Sequence, residues 1–317
     1  MSRELFEDRV RGVLFGQAIG DALGLGTEFL SKRQVAAYYP HGLHALEQIV
    51  PDRHRARWAP GDWTDDTDQM LCILESLLET GRVDIRDIAA RVRAWAVGGG
   101  MGIGMTVADV VYAPDYLSDP HGAAERIWKM SGGHSAANGA VMRTSVLGIW
   151  EYGSPEAVVR NAAAVCKITH FDPRCVASCV CVCHAISALL NGARDIPALA
   201  QALEAEAIAI DERTAEYFAR AQQPEISGLG LDESEAMGYT LKTMGAGIWA
   251  LLHPADFRAG LSAVIHEGGD ADTNGAVAGS ILGARFGWSG IPREWIDGLL
   301  YREVLEKLAQ RFLRLLV

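Results

Sequence analysis

Two short acidic runs about two hundred residues apart, Thr64-Asp65-Asp66 and Asp270-Ala271-Asp272-Thr273, hold the residue types best suited to chemistry in this chain. Each joins two carboxylates to a threonine hydroxyl. Such oxygen-only sets suit hard divalent cations (Mg²⁺, Mn²⁺ or Ca²⁺) and not zinc. The first run lies in Gly61-Asp62-Trp63-Thr64-Asp65-Asp66-Thr67-Asp68, just before the apolar stretch 70–78. Thr and Asp at a helix start could simply satisfy its orphan N–H groups and complement its dipole. One cap needs one such side chain, however, and Asp62, Asp65, Asp66 and Asp68 would repel one another unless cations intervene. In the second run Gly268 and Gly269 permit a tight turn, and the Asp-x-Asp spacing points both carboxylates the same way. The EF-hand spacing and its terminal Glu are missing. The mirrored grouping predicts that the fold joins the two runs around a pair of metals, in a metal-dependent hydrolase.

A third segment, Ser135-Ala136-Ala137-Asn138-Gly139-Ala140-Val141-Met142-Arg143, has small residues leading into an expected helix. Exposed backbone N–H groups at the positive end of a helix dipole make an anion site. The Gly-Lys-Ser/Thr ending of a Walker A loop is absent.

Helical periodicity covers residues 10–24, 66–80, 85–97, 141–150, 155–166, 173–191, 196–209, 241–252, 257–267, 273–286 and 293–316. Alternating β patterns are scarce and no Pro-, Ser- or charge-rich linker divides the chain. An all-α fold in one domain, 1–317, is therefore expected. Gly12, Gly16, Gly20 and Gly24 recur at every fourth residue, as do Gly275, Gly279 and Gly283. Each set lines one stripe of a helix, where missing side chains let another backbone approach. Glycine costs about 1 kcal/mol relative to alanine inside a helix, so the two stripes predict central helices compensated by close packing.

A net charge of −11 argues against an extended nucleic-acid surface. The charged start has no signal-peptide core. The apolar stretch 175–190 is short for a membrane span and contains His184. A cytoplasmic protein without a membrane partner is expected, a monomer by preference. Cys175, Cys179 and Cys183 share one helical face; without paired C-x-x-C ligands they read as small apolar core residues. Trp58, Trp63, Tyr112 and Trp128 offer aromatic surface, although such residues in a helical protein mostly fill the core.

Gly16-Gln17-Ala18-Ile19-Gly20-Asp21-Ala22-Leu23-Gly24 with Glu28, Trp63-Thr64-Asp65-Asp66-Thr67, Asn138-Gly139-Ala140-Val141-Met142-Arg143, Thr169-His170 and Gly268-Gly269-Asp270-Ala271-Asp272-Thr273-Asn274 closely resemble the ADP-ribosylglycohydrolase family. The likeness follows the family's order from residue 10 to about residue 287. Its bacterial branch with dinitrogenase-reductase-activating glycohydrolase is the nearest likeness. The resemblance implies a compact orthogonal multi-helix fold around two Mg²⁺ or Mn²⁺ ions. It implies Thr64, Asp65, Asp66, Asp270, Asp272 and Thr273 as ligands, with Glu28 as a mobile or water-positioning carboxylate. The loop with Ser135, Asn138, Gly139, Ala140 and Met142 would cradle the diphosphate of ADP-ribose. His170, Gly102 and Gly104 would lie against the ligand.

The implied reaction is water attack at C1 of the distal ribose of an ADP-ribosylated protein, with Asp66 or Glu28 as proton acceptor and Asp272 among the catalytic residues. Gly102 stands where relatives acting on ADP-ribosylarginine often carry Asp. With Gly102 there, an arginine-type leaving group would lose its negative partner, which counts against arginine and leaves serine-linked ester, O-acetyl-ADP-ribose and other small conjugates open. A non-catalytic ADP-ribose-binding relative would show eroded ligands, and none is eroded. A dinuclear phosphohydrolase would usually supply several metal-binding His, and His134 and His170 have no ligand spacing.

Overall fold

Helix boundaries in this chain are mostly set by local capping. In the computed structural model, which describes residues 1–316, Ser2, Ser31, Asp84, Asp119, Ser154, Asp172, Asp195 and Asp256 each accept a backbone N–H at a helix start. Pro120, Pro155, Pro173 and Pro197 occupy first-turn positions that need no donor. The elements are α1 (Arg3–Gly24), α2 (Lys32–Tyr38), α3 (Asp65–Thr80), α4 (Ile85–Val97), α5 (Met105–Val111), α6 (Pro120–Met130), α7 (Pro155–Cys166), α8 (Pro173–Leu190), α9 (Ile196–Ile210), α10 (Thr214–Ala221), α11 (Thr240–Leu252), α12 (Phe257–Ile265), α13 (Ala271–Phe286), α14 (Arg293–Gly298) and α15 (Arg302–Leu316). Short 3-10 turns join them. Among the described residues there is no strand, only one isolated antiparallel bridge between Ala137 and Tyr239. The fold is all-α.

The two glycine stripes meet. A Cβ on Gly12, Gly16, Gly20 or Gly24 would fall 2.3, 2.2, 1.9 or 2.2 Å from the carbonyl oxygen of Gly283, Gly279, Gly275 or Ala271 respectively. The helices therefore run antiparallel with backbones in contact, and any side chain at these positions would push them apart. Such contact fixes both axial register and rotation. It also brings the C-terminal end of α1, with Asp21 and Glu28 beyond it, against the N-terminal end of α13, with Asp270 and Asp272. α11 and α12 pack on α13, and α8 lies behind it.

Three expectations need correction. The segment 141–150 is not a helix but two 3-10 turns, Val141–Arg143 and Ser145–Gly148. Side chains there bond elsewhere: Ser145 to Gln17, Arg143 to Gln69 and Thr169. Gly148 also lies so close to α8 that a Cβ would be 2.6 Å from the Cys183 carbonyl. The segment 293–316 breaks into α14 and α15, because Leu299 to Tyr301 leave helical geometry and the Leu300 N–H donates to Gly61 at 2.8 Å. α2, α5, α6 and α10 were not anticipated; three of them have eight residues or fewer, too short for a periodic signal.

α8 is long and apolar enough to cross a membrane, yet 83% of it is buried within the protein. Its Cys175, Cys179, Cys181 and Cys183 are buried free thiols. Burial raises Cys175 and Cys183 far above the ordinary thiol range, so they are inert core residues as expected.

Candidate metal and ligand site

Past the α1–α13 contact the chain turns back on itself. The Phe29 N–H donates to the Gly269 carbonyl at 2.6 Å, and the Gly269 N–H to the Leu30 carbonyl at 2.8 Å. Gly268 and Gly269 have φ of +75° and +70°, and a Cβ on Gly269 would meet the Leu231 carbonyl at 2.0 Å. Only glycine fits that turn. Its result is that Glu28, Asp270 and Asp272 offer carboxylate oxygens within 4.8 Å of one another, and Asp272 does the same with Asp66 and Asp21.

The start of α3 is capped from outside. Thr64 makes no side-chain cap. Instead Asp21, wholly buried on α1, accepts from the Thr64 N–H (2.9 Å) and hydroxyl (2.8 Å) with Oδ1, and from the Thr67 N–H (3.0 Å) and hydroxyl (2.6 Å) with Oδ2. Both oxygens of Asp21 are thus committed to holding α3. Asp65 and Asp66 are spared capping duty, while Asp68 accepts from the indoles of Trp63 and Trp95 at 2.9 Å each. Asp66 Oδ1 is buried without any hydrogen-bond partner.

This cluster is short of positive charge. Burial pushes Asp21 up to about 7 and Asp270 up to about 6, and raises Asp65, Asp66 and Asp272 well above the carboxylate range, with neighbouring carboxylates adding to the rise in all but Asp21. Glu28 Oε2 is paired with His54 Nε2 at 2.6 Å, and His54 Nδ1 is bonded to Arg57 at 2.7 Å. The unpartnered buried oxygen of Asp66, next to Asp272, and the Glu28, Asp270 and Asp272 triad fit hard divalent cations.

The opposite wall comes from loops. Asn138 donates its amide to Asp270 (2.7 Å) and Thr243 (3.0 Å), and the Gln17 amide donates to the Met142 carbonyl at 2.9 Å. His170 is fully buried; desolvation and the Arg143 charge push it down to about 3, so the ring is neutral. Since 141–150 is not a helix, no helix dipole serves this loop. What remains for an anion is backbone N–H and the imidazole.

Between the walls lies a cavity of about 350 Å³ lined by Glu28, Asp65, Asp66, Asp270, Asp272, Thr273, Gly102, Gly104, Asn138, Gly139, Met142 and His170, among others. These are twelve of the expected site residues. The other three stand off it. Thr64 is spent on Asp21, Ala140 is wholly buried, and Ser135 faces a small side cavity of about 50 Å³ beside Thr106 and Trp128. A second opening of about 460 Å³ shares Glu28, Phe29, Asp65, Gly102 and Asp272 and adds His54, Arg57 and Trp58.

Asp21, Phe29 and His54 were missed as site residues. Asp21 had a signal, a lone acid in an apolar, glycine-striped helix. Phe29, at φ +58° and 55% exposed, and His54 had none.

Comparison with known proteins agrees with this fold. The model of the ADP-ribosylglycohydrolase family matches residues 2–317. ADP-ribosylarginine hydrolase Tri1 of Serratia proteamaculans (strain 568) is 29% identical over 96% of this chain and 78% of its own. ADP-ribosyl-[dinitrogen reductase] glycohydrolase of Rhodospirillum rubrum is 28% identical over 92% and 90%. A solved structure titled ADP-ribosylglycohydrolase-related protein complex superposes with a TM-score of 0.80 at 29% identity, covering 99% of this chain and 100% of that one. The chain belongs to the ADP-ribosylglycohydrolase family.

Proposed function

We propose that this protein hydrolyses the bond at C1 of the distal ribose in an ADP-ribosylated protein, releasing ADP-ribose with the help of two Mg²⁺ or Mn²⁺ ions. The observation that carries the reading is the convergence of Glu28, Asp66, Asp270 and Asp272 on one wall of a cavity whose other wall is a neutral imidazole and a backbone loop. Asp66, Asp272 and Thr273 would hold one ion and Glu28, Asp270 and Asp272 the other, with Asp65 completing the set, while Thr64 stays bonded to Asp21. When bound, such ions polarise ribose hydroxyls and lower the pKa of water.

The chain's own groups do the rest. Glu28, held by His54 Nε2 at 2.6 Å, or Asp66 takes the proton of the attacking water, and the leaving side chain is protonated in the same step. The ring of carboxylates stabilises positive charge developing at C1 as the leaving group departs. Asn138, Gly139 and Met142 with His170 hold the diphosphate and exclude water from it. The second opening receives the leaving side chain.

The likeness to ADP-ribosylarginine hydrolase Tri1 favours arginine as the leaving group. At Gly102, φ is +95° and a Cβ would lie 2.4 Å from Asp65 Oδ1. No carboxylate fits at that position, so Asp65 and Glu28 would face a guanidinium instead. The test is incubation with Mg²⁺ or Mn²⁺ and ADP-ribosyl-arginine, ADP-ribosyl-serine or O-acetyl-ADP-ribose. Release of ADP-ribose supports the reading, and the substrate consumed fastest names the leaving group. Release of AMP marks a phosphohydrolase, and no turnover of any substrate marks a binding protein.

A further inference from the structure

Arg143 is wholly buried and faces no carboxylate. Its guanidinium donates to Gln69 Oε1 at 2.6 Å and to the Thr169 hydroxyl oxygen. Thr169 Oγ1 is in turn 2.8 Å from His170 Nδ1. His170 Nε2 is buried without a partner and faces Gly139, where a Cβ would lie 3.3 Å away.

We propose that Arg143 and Thr169 are positioning residues that fix the tautomer of His170, keeping its proton on Nε2 so that the ring presents an N–H to an anionic ligand oxygen. The polarity follows from counting donors and acceptors. Guanidinium cannot accept, so Thr169 Oγ1 is the acceptor of that bond. The threonine proton then has one partner within reach, His170 Nδ1, which must be unprotonated to receive it. The opposite arrangement, with Nδ1–H donating to Thr169, strands the hydroxyl proton in the core and leaves a bare lone pair at Nε2. A donor stranded in the core keeps its full desolvation penalty, and that decides between the tautomers.

A second protonation at Nδ1 would displace the threonine hydrogen beside the Arg143 charge, so the ring also stays neutral. Arg143 itself is held in place by Gln69, whose amide N–H points at Asp65 Oδ2 at 3.3 Å. One buried cation therefore reaches both walls of the cavity. That Nε2–H meets a diphosphate oxygen rests on the ADP-ribose reading above; the tautomer rests on the hydrogen-bond chain alone.

The experiment is ¹⁵N NMR of histidine-labelled, metal-free protein, with the His170 signals assigned by their loss in His170→Gln. The expected spectrum has a one-bond N–H coupling on Nε2 and none on Nδ1. Thr169→Val should populate the Nδ1–H form and weaken ADP-ribose binding, measured by calorimetry, roughly tenfold; Thr169→Ser should restore both. Coupling on Nδ1 in the wild type overturns the proposal, and so does Thr169→Val with an unchanged spectrum. Should that variant fail to fold, the wild-type spectrum decides. The expected tautomer in a protein that binds no ADP-ribose upholds the relay and overturns the ligand reading instead.

Discussion

The two walls of the cavity are built by opposite means. On the acidic wall, two helices touch backbone to backbone, and Asp21 ties a third to them with four hydrogen bonds. On the loop wall, short turns are held by single side chains reaching across the core: Gln17, Asn138, Arg143 and Thr169. Carboxylates that repel one another need a scaffold that cannot yield, and side-chain-free helix contact supplies it. A wall that accepts a flexible ligand needs proton positions more than stiffness.

The harshest way to break this comparison is to separate the helices. In Gly20→Leu the first added carbon would sit 1.9 Å from the Gly275 carbonyl. Neither partner is a side chain that could swing away, so the expected loss exceeds about 4 kcal/mol. Thermal melting and divalent-cation uptake should fail together. A Gly20→Leu protein with wild-type melting temperature would sink the claim that backbone contact positions the carboxylates.

Next in size is loss of one carboxylate. Asp66→Asn or Asp272→Asn should lower ADP-ribose release on the order of 10²–10³-fold. The fold should survive, and the metal-free variant should melt higher than the parent, since a buried negative charge has gone. Turnover assays and calorimetry in EDTA check both halves. Normal activity in either variant would remove it from the machinery.

What the sequence could reveal divides along the same line. The acidic wall was legible because its logic is local or periodic: clustered acids, glycine at every fourth residue, a Gly-Gly turn. On the loop wall Asn138, Gly139, Met142 and His170 were expected at the ligand and do line the cavity, but what holds them there was not legible. Helical periodicity in 141–150 misled because Arg143 and Ser145 spend their side chains on partners that lie far away in the chain, and no window of neighbouring residues contains that information. Asp21 stood out only as a lone acid in an apolar, glycine-striped helix, and its role stayed hidden because the helix it caps begins forty-four residues later. His54 reaches Glu28 from a short irregular stretch with no pattern at all.

A third test is the pH dependence of the metal-free acidic wall. Folded Asp21 titrates at about 7 and Asp65, Asp66 and Asp272 are raised well above their unfolded value near 3.8. The folded state then binds more protons than the unfolded one. Their contribution to stability is complete below about pH 4 and is lost as pH rises through the folded values. His170 and His266, held low by burial, act in the opposite sense, but only below about 6.5. Between pH 6.5 and 8 the histidine contribution fades and the carboxylates set the sign. Melting temperature in EDTA should fall across that interval, with each pKa unit worth about 1.4 kcal/mol. Mg²⁺ or Mn²⁺ should flatten the fall, since ligands must be ionised to bind. A melting temperature that rises from pH 6.5 to 8 in EDTA contradicts the charge deficit.

The smallest effects sharpen the loop wall. Gly139→Ala would place a methyl 3.0 Å from His170 Cε1 and 3.2 Å from Val107 Cγ2. Both neighbours are side chains that can shift by a few tenths of an ångström, so stability should change by less than about 1 kcal/mol. The displaced imidazole would, however, misplace its N–H, and ADP-ribose affinity should fall several-fold, because the hydrogen bond to the anionic oxygen is weakened and not lost. Ser135→Ala is the matched control. Its hydroxyl lies 3.3 Å from Thr106 at the side cavity and does not border the main one, so affinity should stay within about twofold. Calorimetric titration of both variants with ADP-ribose reads the difference. Equal losses would mean that the loop holds its ligand along its whole length, and that the imidazole has no special place in it.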